Sequence, residues 1–223
     1  MVTLRHALTR TVAALCALVL VNSAGVGGAA AREEIVSYAA EIVVRADGGL
    51  DITETIAARV EGEQIQRGLF RDLADSAPAG MPSRVTIHAV ERDGAPAPYA
   101  LIEENGFERI RVGEQEVLLE HGIHTFMFRY SLAEAVAVSD GRLTFEWDVT
   151  GTWPFRILAA DVVVRLPGRS VGTRFAATVG PHGQPRQWTG KARVPGNGIA
   201  FYPQGTIQPG ETVTVQISAL LRP

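Results

Sequence analysis

The chain has 223 residues, with 21 lysines and arginines against 24 aspartates and glutamates, and a formal net charge of −3. A mildly acidic chain lacks the basic surface with which proteins bind nucleic acid or anionic lipid, so neither is expected as a partner. Its length is sufficient for one well-packed domain with its own hydrophobic core.

The N-terminus has the composition of a secretory signal peptide. Arg5 and Arg10 precede an uncharged apolar stretch at 11–21, and a tract of small residues follows at 22–31. These are the three parts of such a signal. We therefore predict a signal peptide over residues 1–31, cleaved near its end, and an exported protein on the periplasmic or extracellular face. An uncleaved membrane anchor is the alternative, although a spanning helix needs a longer apolar stretch.

The remaining chain alternates between apolar and polar residues, which is typical of half-buried β-strands. Between 213 and 217, for example, Val213, Val215 and Ile217 share one face of a strand. Asp-Gly, Asn-Gly and Pro-Gly pairs separate the alternating segments and predict turns. No window of ten or more residues has a helical period. The predicted strands are 36–44, 50–60, 83–92, 98–104, 107–112, 123–132, 142–149, 162–166, 174–179, 199–202 and 211–220.

Many short strands joined by tight turns predict an all-β protein, with the fold of an antiparallel β-sandwich of immunoglobulin-like or related type. We predict a single extracytoplasmic domain over residues 32–223. A division near 133–140 is the alternative, because the sequence Ala-Val-Ala-Val-Ser-Asp-Gly at 135–141 could form a hinge.

A glutamate is predicted to point into the core. Glu54 shares a strand face with Leu50, Ile52 and other apolar residues. A lone buried carboxylate is costly, so it requires a positive partner or backbone N–H groups. Arg67 and Arg71 are the nearest candidates, and we predict a structural ion pair that fixes the loop around Gly68.

Two carboxylates provide the only weak candidates for catalysis. Glu146 and Asp148 are two residues apart on one strand, about 7 Å from each other because a strand rises about 3.3 Å per residue. Paired carboxylates at such distances can hydrolyse glycosides. The simpler interpretation is a solvated polar strand face.

Three aromatic residues are not explained by the alternation: Trp153, Phe155 and Trp188. Exposed aromatic side chains could stack on sugars or bind a partner protein. The simpler interpretation is that they anchor their loops in the core, because large aromatic side chains usually supply buried area.

No motif in the chain indicates a cofactor or a metal. His121 and His124 form an H-x-x-H pair, but a turn glycine separates them, and metal sites require three or four convergent ligands. Nucleophile-elbow, P-loop and zinc-protease motifs do not occur. The sequence therefore predicts neither a cofactor nor a metal, and it favours a non-catalytic role.

Several segments together resemble a known family, the N-terminal extracytoplasmic region of bacterial predicted membrane proteins catalogued as domain of unknown function 2207. The resemblance covers roughly residues 33–220. The segments that carry it, in chain order, are 47–56 (DGGLDITETI), 67–71 (RGLFR), 90–94 (VERDG), 109–113 (RIRVG), 124–130 (HTFMFRY) and 147–153 (WDVTGTW).

The resemblance implies a chain order of signal peptide, this β domain, transmembrane helices and often a glycine-rich tail. The family has no established activity. The present chain departs from that pattern because it ends at Pro223 without a membrane span. It is either a soluble version or a chain that stops short of its anchor. We expect an interaction or scaffold module of the bacterial cell envelope. Its expected partner is an envelope protein or the membrane-embedded part of a related protein. A carbohydrate-binding or carbohydrate-cleaving domain is the alternative.

Overall fold

Alternating apolar and polar residues produce the β-strands that make up the domain. A computed structural model of the chain describes residues 32–73, 85–104, 107–168, 170–181 and 183–221, so the predicted signal peptide at 1–31 lies outside the described residues. The described strands are β1 (Glu34–Val44), β2 (Leu50–Val60), β3 (Phe70–Asp72), β4 (Val85–Arg92), β5 (Ala95–Pro96), β6 (Tyr99–Glu104), β7 (Phe107–Val112), β8 (Gly122–Leu132), β9 (Ala137–Ser139), β10 (Arg142–Asp148), β11 (Ala160–Arg165), β12 (Ser170–Gly180), β13 (Gln187–Trp188), β14 (Gly190–Val194), β15 (Gly198–Tyr202) and β16 (Thr212–Leu221).

These strands form three sheets. The first has eight strands in the order β14-β15-β11-β1-β2-β8-β4-β5, and the second has five in the order β13-β12-β16-β10-β9. The third has three strands in the order β3-β7-β6. Strand pairing is antiparallel among the described strands except between β1 and β11, which run parallel with Tyr38 opposite Ala160.

Apolar side chains from all three sheets meet in one continuous core. The rings of Phe175, on β12 of the second sheet, and Phe201, on β15 of the first, pack nearly perpendicular to each other with 6.2 Å between ring centroids. Ile110 on β7 adds an apolar side chain of the third sheet to the same core. The prediction of an all-β sandwich fold is confirmed.

The segment at 133–140, where a division into two domains was the alternative, is built into this core. Ala135 and Val136 are buried, and the Val136 amide donates to the Gly48 carbonyl in the turn between β1 and β2. The three residues that follow, β9, pair with β10 in the second sheet. The described residues contain no apolar helix of a length that could cross a membrane.

The start of the described chain is fixed by a carboxylate. The two oxygens of Glu33 accept hydrogen bonds from the backbone amides of Glu61, Glu63, Gln64 and Ile65 at distances of 2.7 to 3.3 Å. Partial burial by itself raises the pKa of Glu33, and these amides outweigh it, so the pKa lies below its usual value of 4.5. This carboxylate closes the turn that follows β2.

Replacing Glu33 by glutamine is expected to lower the free energy of unfolding by about 1–2 kcal/mol at pH 7, because hydrogen bonds to a charged acceptor are lost. Since the pKa is depressed in the folded state, the charged form stabilises the fold above pH 4.5 and loses this effect as the pH falls. In urea unfolding, the difference in the free energy of unfolding between the two proteins should therefore shrink as the pH falls from 7 to 3. Glu116→Gln, on an exposed loop, is the control and should change stability by less than about 0.5 kcal/mol. A difference that stays constant with pH would contradict the assignment.

Candidate functional site

The core contains a fully buried ion pair between Glu54 on β2 and Arg71 on β3. The Arg71 Nε donates to Glu54 Oε2 at 2.7 Å, and its Nη2 donates to Glu54 Oε1 at 2.8 Å. Both side chains are 1% exposed. Two parallel hydrogen bonds between guanidinium and carboxylate form the strongest geometry available to such a pair.

Three further hydrogen bonds join this pair to its surroundings, and a fourth ends on one of the same acceptors. The Tyr130 hydroxyl on β8 donates to Glu54 Oε1 at 2.9 Å. Other guanidinium N–H groups of Arg71 donate to the carbonyls of Asp72, at 2.7 Å, and Val149, at 3.1 Å. The Tyr38 hydroxyl on β1 donates to the same Val149 carbonyl at 3.1 Å. The network therefore connects the first sheet, the third sheet and the end of β10 in the second.

The electrostatics of the network favour a permanently charged arginine and neutral phenols. Burial raises the pKa values of Tyr38 and Tyr130 well above their usual range. For Arg71, burial by itself lowers the pKa, and the adjacent Glu54 carboxylate overcomes this and raises it. The acid and the base of the network are thus paired with each other and enclosed in the core.

Glycine at position 151 leaves room for the buried guanidinium. Gly151 has a φ of +63°, and a Cβ there would lie 2.6 Å from the Arg71 Nη1. Of the two arginines predicted as partners of Glu54, the structure places only Arg71 beside it. Arg67 is exposed and donates to the Gln66 side chain. Its side chain leaves the core because residue 67 belongs to the loop that precedes β3.

The two carboxylates considered for catalysis do not face a common cleft. Glu146 is exposed and borders a shallow depression of about 420 Å³ on the second sheet, and Asp148 is absent from that lining. Asp148 is buried, contrary to the predicted solvated face, and accepts a hydrogen bond from the Thr214 hydroxyl at 2.5 Å. The geometry therefore does not bring them together for glycoside hydrolysis.

Two of the three aromatic candidates are built into the core. Trp153 and Phe155 are buried, and the Trp153 indole N–H donates to the Thr150 carbonyl at 2.8 Å. They anchor the segment between β10 and β11, so these two side chains are not the exposed aromatics that the alternative required. The Trp188 backbone forms part of β13, and its side chain lies outside the described residues.

The exposed apolar side chains gather around the third sheet. Phe70 on β3 is 52% exposed, and Tyr99 and Leu101 on β6 are nearly as open. Val117 and Leu118 extend this set in the loop after β7, with Leu118 at 64% exposure. We call these five residues the apolar patch. The strand register places Phe70 on one face of the third sheet and Tyr99 and Leu101 on the other, because Phe70 lies opposite Arg111 and Leu101 lies opposite Ile110. The loop is fixed beside the third sheet because the amide of its buried Leu119 donates to the carbonyl of Gln66, in the segment that leads into β3.

A cleft of about 260 Å³ lies between the loops at 64–68 and 113–115, next to this patch. Phe70, Arg67 and Arg111 are among its lining residues. The Arg111 Nε is buried and has no hydrogen-bond partner among the described residues. Alternation identified β6 and β7 in the sequence, but it did not indicate that their sheet would be left partly uncovered.

Among the described residues, no group of three or more histidine, cysteine, aspartate or glutamate side chains is placed to hold a metal ion. His124 of the H-x-x-H pair is instead bonded through Nδ1 to Asp93, at 2.7 Å, and through Nε2 to the Glu120 carbonyl. Burial by itself lowers the pKa of His124, and these two partners raise it above its usual value.

The fold is similar to part of two solved hydrolase structures. One is yeast LTA4 hydrolase, with a TM-score of 0.52 and 9% sequence identity over 83% of this chain and 29% of that one. The other is yeast LTA4 hydrolase in complex with bestatin, with a TM-score of 0.50 and 8% identity over 84% of this chain and 28% of that one. The present chain thus spans less than a third of either structure, and at these identities the likeness shows the fold alone.

No curated protein matches the chain in sequence. A family model does match it, over residues 34–219, and its description is the N-terminal domain of predicted membrane proteins, DUF2207. The match extends from the first residue of β1 almost to the end of β16, so it covers the whole β domain. The chain therefore belongs to the family of predicted membrane proteins that is defined by the DUF2207 N-terminal domain.

Proposed function

We propose that this domain is a non-catalytic interaction module of the bacterial cell envelope, held on the periplasmic or extracellular face. Its partner is an envelope protein or the membrane-embedded part of a related protein. Two findings support the location: the composition of residues 1–31, which is typical of a signal peptide, and a family described as predicted membrane proteins.

The apolar patch is the observation that carries this proposal. Ten large apolar side chains of the described residues are exposed, and five of them form the patch on and beside the third sheet. Exposed apolar side chains concentrated in one part of a domain are typical of protein–protein contact sites. Aromatic residues such as Phe70 and Tyr99 are enriched in the buried centres of interfaces.

The outer face of the second sheet has the opposite character. Thr144, Glu146, Gln216 and Ser218 border its depression, and polar side chains of this kind are common on solvated strand faces. The domain therefore has one polar face suited to water and one apolar patch suited to a protein partner.

The proposal is tested by placing a photo-crosslinking amino acid at Leu118 in the full chain and irradiating intact cells. We expect one protein to be captured in defined yield from the envelope fraction and identified by mass spectrometry. Leu118 is suited to this because its side chain is the most exposed of the patch.

Leu220 is the matched control, because it is also a partly exposed leucine, at 39%, and lies on the second sheet. Crosslinker at this position should capture nothing in comparable yield. Equal capture from both positions, or capture of cytoplasmic proteins only, would contradict the proposed module.

A further inference from the structure

Strand β6 is an open edge of the third sheet. It pairs with β7 on one side, and no described residue pairs with it on the other. An unpaired edge presents a row of N–H and C=O groups that another strand can bind. With six residues, β6 is long enough to hold such a strand in register.

The terminal strands at the other sheet edges are short or charged. Among the described strands, β3, β5, β9 and β13 have only two or three residues each. β14 is longer but has exposed Lys191 and Arg193, and charged side chains discourage strand addition. The sequence of β6 begins Tyr-Ala-Leu-Ile, without a charge until residue 103. Of the terminal strands, β6 is therefore the one best suited to accept a partner.

The pairing of β6 with β7 determines which backbone groups are free. The Gly113 amide donates to the Pro98 carbonyl at 2.9 Å, just before β6 begins. In an antiparallel ladder the bonded pairs recur at every second residue. The residues at even positions from 98 onwards therefore bond to β7, whereas Tyr99, Leu101 and Glu103 direct their N–H and C=O groups outward.

The side chains of the same three residues define the chemistry of the partner. Tyr99 and Leu101 are exposed and apolar. Glu103 lies directly opposite Glu108 on β7, and carboxylates in this position repel each other. Glu108 Oε2 is buried without a hydrogen-bond partner among the described residues. A cation supplied beside Glu103 would compensate this pair of negative charges.

We propose that β6 binds an extended segment of a partner protein by antiparallel strand addition. The segment has a basic-x-apolar-x-apolar pattern, with Lys or Arg opposite Glu103 and apolar residues opposite Leu101 and Tyr99. This inference rests on the proposed function and specifies how the module holds its partner. Backbone hydrogen bonds supply affinity in such complexes, and alternate side chains supply specificity.

The test uses a fluorescein-labelled peptide, Thr-Lys-Thr-Val-Thr-Val-Thr, titrated with the purified protein and followed by anisotropy. We expect saturable binding, and at least about tenfold weaker binding when the lysine is replaced by glutamate. N-methylation of the lysine and both valines should abolish binding, because these amides face β6. N-methylation of the threonines at peptide positions 3, 5 and 7 should leave binding intact, because their amides face away from β6.

Leu101→Lys places a charge on the edge and should abolish binding, whereas Leu220→Lys on the second sheet should not. Equal effects of the two N-methylation sets, or undiminished binding to Leu101→Lys, would overturn the proposal. Sedimentation experiments test whether the protein associates with itself. Self-association that is lost in Leu101→Lys would also overturn the proposal, because the edge would then bind a second copy of the chain. If Leu118 captures a partner but the peptide does not bind, strand addition is overturned. The proposed interaction module would still be supported by the crosslink.

Discussion

Replacing Glu54 by glutamine is expected to lower the free energy of unfolding by about 3–5 kcal/mol, since it leaves the Arg71 guanidinium buried without a counter-charge. Both side chains are only 1% exposed, so water cannot compensate the loss. Arg71→Met should cost a similar amount because it strands the carboxylate in the same way. Urea unfolding followed by tryptophan fluorescence measures both effects.

The double variant Glu54→Leu with Arg71→Met separates the pair from general damage to the core. It removes both charges, so we expect it to be more stable than either single variant. Glu146→Gln is the surface control and should change stability by less than about 0.5 kcal/mol, since Glu146 is exposed. If neither single variant folds, a double variant that does fold would support the ion pair in the same way. Additive losses would contradict the assigned ion pair.

Replacing Gly113 by alanine is expected to cost about 4 kcal/mol or more, or to prevent folding. The Cβ of an alanine at this position would lie 1.9 Å from the backbone carbonyl oxygen of Arg67. Gly68 is its counterpart, because a Cβ there would lie 1.7 Å from the Val112 carbonyl oxygen. The two backbones can therefore approach this closely only if both residues are glycines, and the Val112 carbonyl belongs to β7 of the third sheet. Thermal and urea unfolding of the purified variants measure the effect.

Gly94→Ala distinguishes this steric conflict from simple backbone strain. Gly94 also has a positive φ, of +79°, but a Cβ there would meet no atom within 4 Å. We therefore expect a loss of only about 1–2 kcal/mol, the cost of the left-handed conformation for an L-residue. Similar losses from Gly94→Ala and Gly113→Ala would show that close contact between the two loops does not determine the fold.

Alternation predicted long strands well, because a period of two is specified by the residues themselves. The predicted bounds 50–60 and 107–112 coincide with β2 and β7. Short edge strands such as β3 and β9 have only three residues and were missed, since so few residues carry no detectable period. The parallel pairing of β1 with β11 was also missed, because alternation determines which face a residue occupies and not the direction of its neighbour.

The site was less predictable, because local alternation does not show which distant residues pack against a given face. An apolar strand face showed that Glu54 required a partner, but the choice between Arg67 and Arg71 depended on how the chain between β2 and β3 folds. Asp148 was predicted on a solvated face from its position alone. It is buried and bonded by Thr214, which no local pattern indicates. Position in a strand predicts the face of a residue, whereas its burial depends on what packs above that face.

The position of β1 between β2 and β11 has a consequence for how the chain folds. The first strand described is central to the largest sheet, and it pairs with residues 160–165, which follow far along the chain. Contacts between residues so distant in sequence require closure of a long loop, and proteins rich in such contacts fold slowly. In a newly made chain, β1 thus lacks one of its two native neighbours until β11 has been synthesised. Slow folding of this kind lengthens the time during which the apolar faces of the early strands are exposed to chaperones and to other chains.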